Sequence, residues 1–247
     1  MTAAEVRYKF LVSDAAPQRG SVTAAVTDQL RRAIVTLELK PGESLDKGLI
    51  CERLGVSRFP VSEALARLQA EGLVEIMPQR GSMVSRVRVG EVIEYMLIRR
   101  ALESEAVHAL ASRPTPELVA RLEQNLADQA RAAKRGDRET FHAHDLAFHE
   151  LLFDAMRFER IRAVIDQARA NLDRARRLIL DPRRLTLSQG EHKAVVDAIA
   201  AGDPERAAAS MRAHINKVTG ELLAFAREAP EIFADGDSLA TDMPIFG

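Results

Sequence analysis

Leu54-Gly55-Val56-Ser57-Arg58-Phe59-Pro60-Val61-Ser62-Glu63-Ala64-Leu65-Ala66-Arg67-Leu68 is the stretch on which the fold turns. Gly55 closes one short helix, Lys47–Leu54, and Ser57 can cap the next. Pro60 falls in the first turn of that second helix, where no backbone donor is missed. Val61, Ala64, Leu65 and Leu68 keep the 3–4 spacing of one buried face and leave Arg58, Phe59, Ser62 and Gln69 toward the open side. The pattern predicts a helix, a tight turn and a second helix running from Arg58 to about Glu71, ended by Gly72.

Upstream, Val22, Val26, Leu30, Ile34, Val35 and Leu37 mark another helix that stops at Lys40-Pro41-Gly42-Glu43, which holds both strong helix breakers. Downstream, Leu73–Met77 and Ser82–Val87 read as two strands around Pro78-Gln79-Arg80-Gly81, with an arginine and a glycine at the tip. Residues 21–89 therefore read as a winged helix-turn-helix. Gly48 sits inside the short helix, where it should weaken the helix by roughly 1 kcal/mol. Residues 21–90 hold ten Lys/Arg and eight Asp/Glu, only faintly basic. The case for DNA is accordingly geometric: an exposed helix after a tight turn enters a major groove, and the wing reaches an adjacent groove or phosphates. The same module also serves as a protein-contact domain.

The whole chain has 247 residues, 35 Lys+Arg against 36 Asp+Glu, 4% aromatic residues, no Trp and one Cys. A lone cysteine cannot form an internal disulfide, so Cys51 reads as a small buried apolar residue and the expected compartment is the cytoplasm. No run approaches the roughly 20 apolar residues of a membrane span, and no signal-peptide layout opens the chain. After Val89-Gly90 helical periodicity is uninterrupted. Helices are predicted near 91–112, 115–135, 137–156, 158–180, 184–201 and 203–226, punctuated by Pro114, Pro116, Gly136, Asp181-Pro182 and Gly202-Asp203-Pro204. The fold class is mainly α: a flexible arm (1–20), the winged helix-turn-helix (21–89), an all-helical bundle (90–227) and a loose tail (228–247).

Five of the six histidines lie between 142 and 214. Asp145 and His149 are i and i+4 on a predicted helix, so both leave one face, about 6 Å apart along the axis. That face also carries Phe141 and Leu152 and points inward. With His192 and His214 from later helices, a mixed N/O ligand set for Zn²⁺, Ni²⁺ or Mn²⁺ can form. Spacing alone leaves open the reading of hydrogen-bonded core histidines. His108, His142 and His144 read as surface or core residues. In Ile98-Arg99-Arg100-Ala101-Leu102-Glu103, one of the adjacent arginines can reach into the bundle and bind a carboxylate bidentately.

Leu39-Lys40-Pro41-Gly42-Glu43-Ser44-Leu45, the Leu54–Leu68 stretch and Glu71-Gly72-Leu73-Val74 together resemble the DNA-binding half of GntR-family transcriptional regulators. Asp145-x-x-x-His149, Glu191-His192 and Ala198 through His214-Ile215 resemble the FCD ligand-binding domain of the FadR subfamily. The resemblance spans roughly residues 21–226. It implies a homodimeric regulator, expected to be a repressor and not an enzyme, that binds a palindromic double-stranded DNA operator. It implies one divalent metal per protomer on Asp145, His149, His192 and His214, and a small carboxylate effector bound with Arg99. It also implies DNA contacts from Arg58, Arg67, Arg80 and Gly81, with Lys47 at a phosphate. Ser62 stands where the family usually has a second arginine, and Phe59 where it has a small hydroxyl residue, so operator sequence does not carry over. Two alternatives stay open: a metal-dependent enzyme acting on a small carboxylate, and a purely structural metal.

Overall fold

A computed structural model describes residues 7–12, 21–157, 169–179 and 181–235. The chain divides into two compact units, the first running to Arg88 and joined by the segment that starts at Pro230, the second spanning Val89–Ala229.

In the first unit, helix α1 (Ser21–Val35) buries Val26, Leu30, Ala33 and Ile34. Strand β1 (Ser44–Leu45) follows the Pro41-Gly42 turn, and helices α2 (Lys47–Leu54) and α3 (Arg58–Ala70) form the helix-turn-helix. Strands β2 (Val74–Met77) and β3 (Gly81–Val84) complete a three-stranded antiparallel sheet of order β1-β3-β2. In that sheet Ile76 faces Ser82, and Leu45 faces Ser82 from the other side. The turn between α2 and α3 forms because Gly55 adopts a φ of 66°, a left-handed conformation that costs glycine little, and its N–H reaches the Cys51 and Glu52 carbonyls. Val61, Ala64, Leu65 and Leu68 are buried, as the spacing predicts.

Several expectations need correction here. β1 is a third strand that the sequence pattern does not announce, because two residues carry no period. Ser57 precedes α3 but its side chain makes no capping bond; the cap that does form is Asp46, whose Oδ1 accepts from the N–H groups of Gly48 and Leu49 at 2.8 and 3.0 Å. Gly48 is thus in the first turn of α2 rather than its interior, and a Cβ there would stand 3.2 Å from Asp46 Oδ1. Cys51 is half-buried, with Sγ 3.6 Å from the Ser57 carbonyl. Parts of the expected arm and tail are packed: Tyr8 and Leu11 are buried, and Phe233 is buried in a parallel bridge to Val87.

Among the described residues the second unit holds six helices: α4 (Val89–Ser112), α5 (Pro116–Arg135), α6 (Arg138–Met156), α7 (Arg169–Ile179), α8 (Pro182–Ala200) and α9 (Pro204–Glu228). The helix predicted over 158–180 falls partly outside the described residues. Thr115, Asp137, Asp181 and Asp203 cap their helices by accepting from the N–H groups of Leu118, Thr140, Arg184 and Arg206. Three of these caps are followed by proline in the first turn, where the absent N–H costs nothing. α4 packs along α9, α5 along α6, and α8 lies against both α9 and α5. Among the described residues no helix is long and apolar enough to cross a membrane.

Candidate metal centre

The interior of the helical unit is unusually polar. Arg99 and Glu103 on α4, Gln129 on α5, Asp145 and His149 on α6, Arg176 on α7, His192 on α8 and His214 on α9 are all buried. A charge removed from water is strongly penalised unless it is paired and hydrogen-bonded, so such a cluster calls for a close account of its partners.

Ligand atoms of His149, His192 and His214 lie within 4.8 Å of one another. His192 Nδ1 sits 2.8 Å from Gln129 Oε1, and His214 Nδ1 sits 2.8 Å from Glu191 Oε2. Neither oxygen can donate, so each Nδ1 carries the proton and each Nε2 presents a lone pair. Those two Nε2 atoms are 3.3 Å apart, and His192 Nε2 is 3.7 Å from Asp145 Oδ1. His149 differs: its Nδ1 lies 2.7 Å from Glu103 Oε2 without hydrogen-bond geometry, and neither of its buried ring nitrogens has a hydrogen-bond partner among the described residues. Two imidazoles, His192 and His214, are therefore oriented through one nitrogen by a second group and direct the other toward a shared space that His149 also borders, the arrangement by which metal-ligating histidines are fixed. Two facing lone pairs with no proton between them repel, and a cation between them removes the repulsion. The donor set of three neutral imidazoles beside a carboxylate suits a divalent first-row metal.

The electrostatics keep those imidazoles neutral. Burial lowers all three histidines, His149 to about 4 and His192 well below its ordinary value. For Asp145 burial acts in the opposite sense, but the Arg176 guanidinium and the neighbouring imidazoles outweigh it and hold the carboxyl below the usual range. Glu103 is likewise held low against its burial by Arg99 and His149. The ion pairs are close: Arg99 Nε to Glu103 Oε1 and Arg176 Nη2 to Asp145 Oδ2, both 2.5 Å. Glu191 is also bound by Arg184 Nη2 at 2.6 Å. Phe148 stacks on the His192 ring with centroids 4.2 Å apart.

All four expected ligands, Asp145, His149, His192 and His214, gather in this cluster, with Asp145 also held by Arg176. Arg99, the expected effector contact, is the buried member of its pair, and its Nη2, like Arg176 Nη1, lacks a hydrogen-bond partner among the described residues. Sequence reasoning missed Glu103, Gln129, Arg176 and the orienting role of Glu191. Only Glu103 carried a signal, standing i+4 from Arg99. His142 is buried, 3.9 Å from Asp173, and His108 is an exposed partner of Glu205, so neither joins the cluster.

In the first unit, Lys47, Arg58, Arg80 and Gly81 line one cavity of about 500 Å³ together with Arg7, which sequence reasoning also missed. Arg67 does not line it; its guanidinium is paired with Glu63 at 2.5 Å on the exposed side of α3. Phe59 is 74% exposed at the start of α3.

Comparison with known proteins agrees with this division. Residues 22–84 match the family described as bacterial regulatory proteins, gntR family, and residues 94–217 match the FCD domain. An HTH-type transcriptional regulator in an unstable DNA locus of Streptomyces ambofaciens is 36% identical over 83% of this chain and 87% of its own length. The HTH-type transcriptional repressor RspR of Escherichia coli is 31% identical over 83% of this chain and 91% of its own. Among solved structures, a GntR transcriptional regulator from Rhodococcus sp. RHA1 has a TM-score of 0.70 at 24% identity, covering 83% of this chain and 98% of that one. McbR/YncC of E. coli has a TM-score of 0.66 at 23% identity, with the same coverage; both structures are alike in fold.

Proposed function

The chain belongs to the GntR family of bacterial regulatory proteins and carries an FCD domain; from that premise we propose a repressor whose grip on DNA is set by a small organic acid bound at a metal. The observation that carries the reading is the convergence of the His149, His192 and His214 ligand atoms within 4.8 Å, with His192 and His214 turned Nε2 to Nε2 because each Nδ1 is committed to a fixed oxygen. Asp145, His149, His192 and His214 would hold one Zn²⁺, Ni²⁺ or Mn²⁺ per protomer, as in the metal-binding branch of the FadR subfamily. When bound, the metal supplies a Lewis-acid anchor for a carboxylate. Arg99 adds a buried guanidinium with one unpartnered nitrogen.

The charges of this interior favour an acid. Arg99 with Glu103 and Arg176 with Asp145 cancel in pairs, and the three histidines are neutral. A divalent cation therefore adds an uncompensated double positive charge to a buried site, and an anionic ligand offsets it. The acid regulates only insofar as it binds the DNA-competent and DNA-released conformations with different affinity. Repression is supported by the likeness to RspR, a transcriptional repressor. A homodimer on a palindromic operator suits two recognition helices reading successive major grooves, with Lys47, Arg58, Arg80 and Gly81 nearest the DNA.

The test is retardation of duplex fragments from around the protein's own gene, with metal-loaded and chelator-stripped protein, across a panel of small carboxylic acids. Release of DNA by one acid class from loaded protein alone is the expected result. Retardation that responds to no acid in either form, with metal bound, would make the metal structural. Turnover of an acid, abolished in His192→Ala, would make the protein an enzyme.

A further inference from the structure

The family match begins at residue 22, yet residues 7–12 are built into the first unit. Tyr8 and Leu11 are fully buried. Arg53 donates to the Tyr8 and Lys9 carbonyls at 3.1 and 3.3 Å. One side-chain amide, Gln29, satisfies both backbone groups of Val12, accepting from its N–H at 2.7 Å and donating to its carbonyl at 3.0 Å. Tyr8 Oη accepts from the backbone N–H of Asp46 at 2.9 Å, and Asp46 is the residue whose carboxylate caps α2. The segment thus braces the start of the helix whose first residue is Lys47.

This docking delivers a cation. Arg7 Nη2 donates to the Ser44 carbonyl at 2.5 Å and to Ser44 Oγ at 3.1 Å, and its side chain stays about one-third exposed. There it lines the same 500 Å³ cavity as Lys47, Arg58 and Arg80. Asp46 lines the cavity too, with one carboxylate oxygen occupied by the cap, and Glu43 lies 3.9 Å from Arg7. Four cations around one concavity concentrate more positive charge than the formal +2 of residues 21–90 suggests, and Arg7 and Lys9, with no acid in 7–12, double that figure.

We propose that residues 7–12 are a structural part of the DNA-binding unit and that Arg7 completes, with Lys47, Arg58 and Arg80, a binding pocket for a backbone phosphate of duplex DNA. The inference rests on the DNA-binding reading. Because Ser44 and the buried Tyr8 hold Arg7 in place, less side-chain freedom is lost on contact than for an unanchored terminal arm.

The experiment measures binding of the full-length protein to a fluorescein-labelled 30-base-pair duplex of random sequence by anisotropy, from 50 to 200 mM KCl. Wild type is compared with Arg7→Gln, Arg7→Lys, a deletion of residues 1–12, and Arg121→Gln as an exposed control in the other unit. Arg7→Gln should bind more weakly and lower the slope of log affinity against log salt by about 0.9 per bound protomer, the signature of one lost phosphate contact. Arg7→Lys should keep the slope, Arg121→Gln should match wild type, and the deletion should lose at least as much as Arg7→Gln. A wild-type slope in Arg7→Gln, with its melting temperature unchanged, would overturn the proposal while leaving DNA binding intact. Wild-type protein that shows no salt-dependent binding would overturn the DNA-binding reading as well.

Discussion

The two units of this chain bury opposite kinds of chemistry. The interior of the winged unit is apolar, built from Leu30, Ile34, Leu54, Val61, Leu65 and Leu68, and its cations stand outside on α2, α3 and the wing. The helical unit buries Arg99 and Arg176, Glu103 and Asp145, and His149, His192 and His214 around its candidate metal centre. The contrast is what the proposed ligands would require. Duplex DNA is too large to enclose, so its reader needs only a rigid scaffold with charges on the surface. A small anion in water is best distinguished where water is excluded, which puts the recognising groups inside and makes the unit less stable for it.

Breaking one buried pair should produce the largest effect. Glu103→Ala strands the buried Arg99 and removes the carboxylate beside His149, and should cost about 3–5 kcal/mol in urea denaturation. The double substitution Arg99→Met/Glu103→Leu should recover most of that loss while abolishing any response to acids. Acidifying the metal-free protein should come next. Burial holds His149 near pH 4 in the folded state against about 6.5 unfolded. The unfolded chain therefore takes up the proton first: the contribution is complete above pH 6.5 and falls as pH drops toward 4, by roughly 3 kcal/mol for this group. A stability profile flat across that window in wild type, or unchanged in His149→Asn, would contradict it. In the apolar interior, Ile34→Val should cost only about 0.5–1.5 kcal/mol and show no dependence on pH or metal. Smallest of all in stability is Arg80→Ala, within about 0.5 kcal/mol of wild type, although it should visibly weaken DNA binding and its salt dependence.

The winged unit was legible from sequence because its logic is local. Gly55, Pro60 and the Val61–Leu68 spacing each constrain the backbone within a turn or two, and the structure follows them. β1 and residues 7–12 escaped because two residues and six residues are too short for any period to show; what holds them is tertiary, Leu45 against the wing and Tyr8 against Asp46. In the helical unit Asp145 and His149 shared a face by helix geometry alone. That His192 and His214 would meet them came from the family resemblance, since three separate helices must converge. Gln129, Arg176 and Glu191 had no local signal: an amide on an amphipathic helix and an arginine in an Arg-rich one read as solvent-facing until packing turns them inward.

The central claim is that the three imidazoles and Asp145 form a metal site, and metal content measures it most directly. Purified wild-type protein and a His149→Ala/His214→Ala variant, each reloaded with Zn²⁺, Ni²⁺ or Mn²⁺ and desalted, would be assayed by mass spectrometry. The expected result is close to one metal per protomer in wild type and almost none in the variant. Wild type that retains no metal after reloading, or a variant that retains as much as wild type, would contradict the claim.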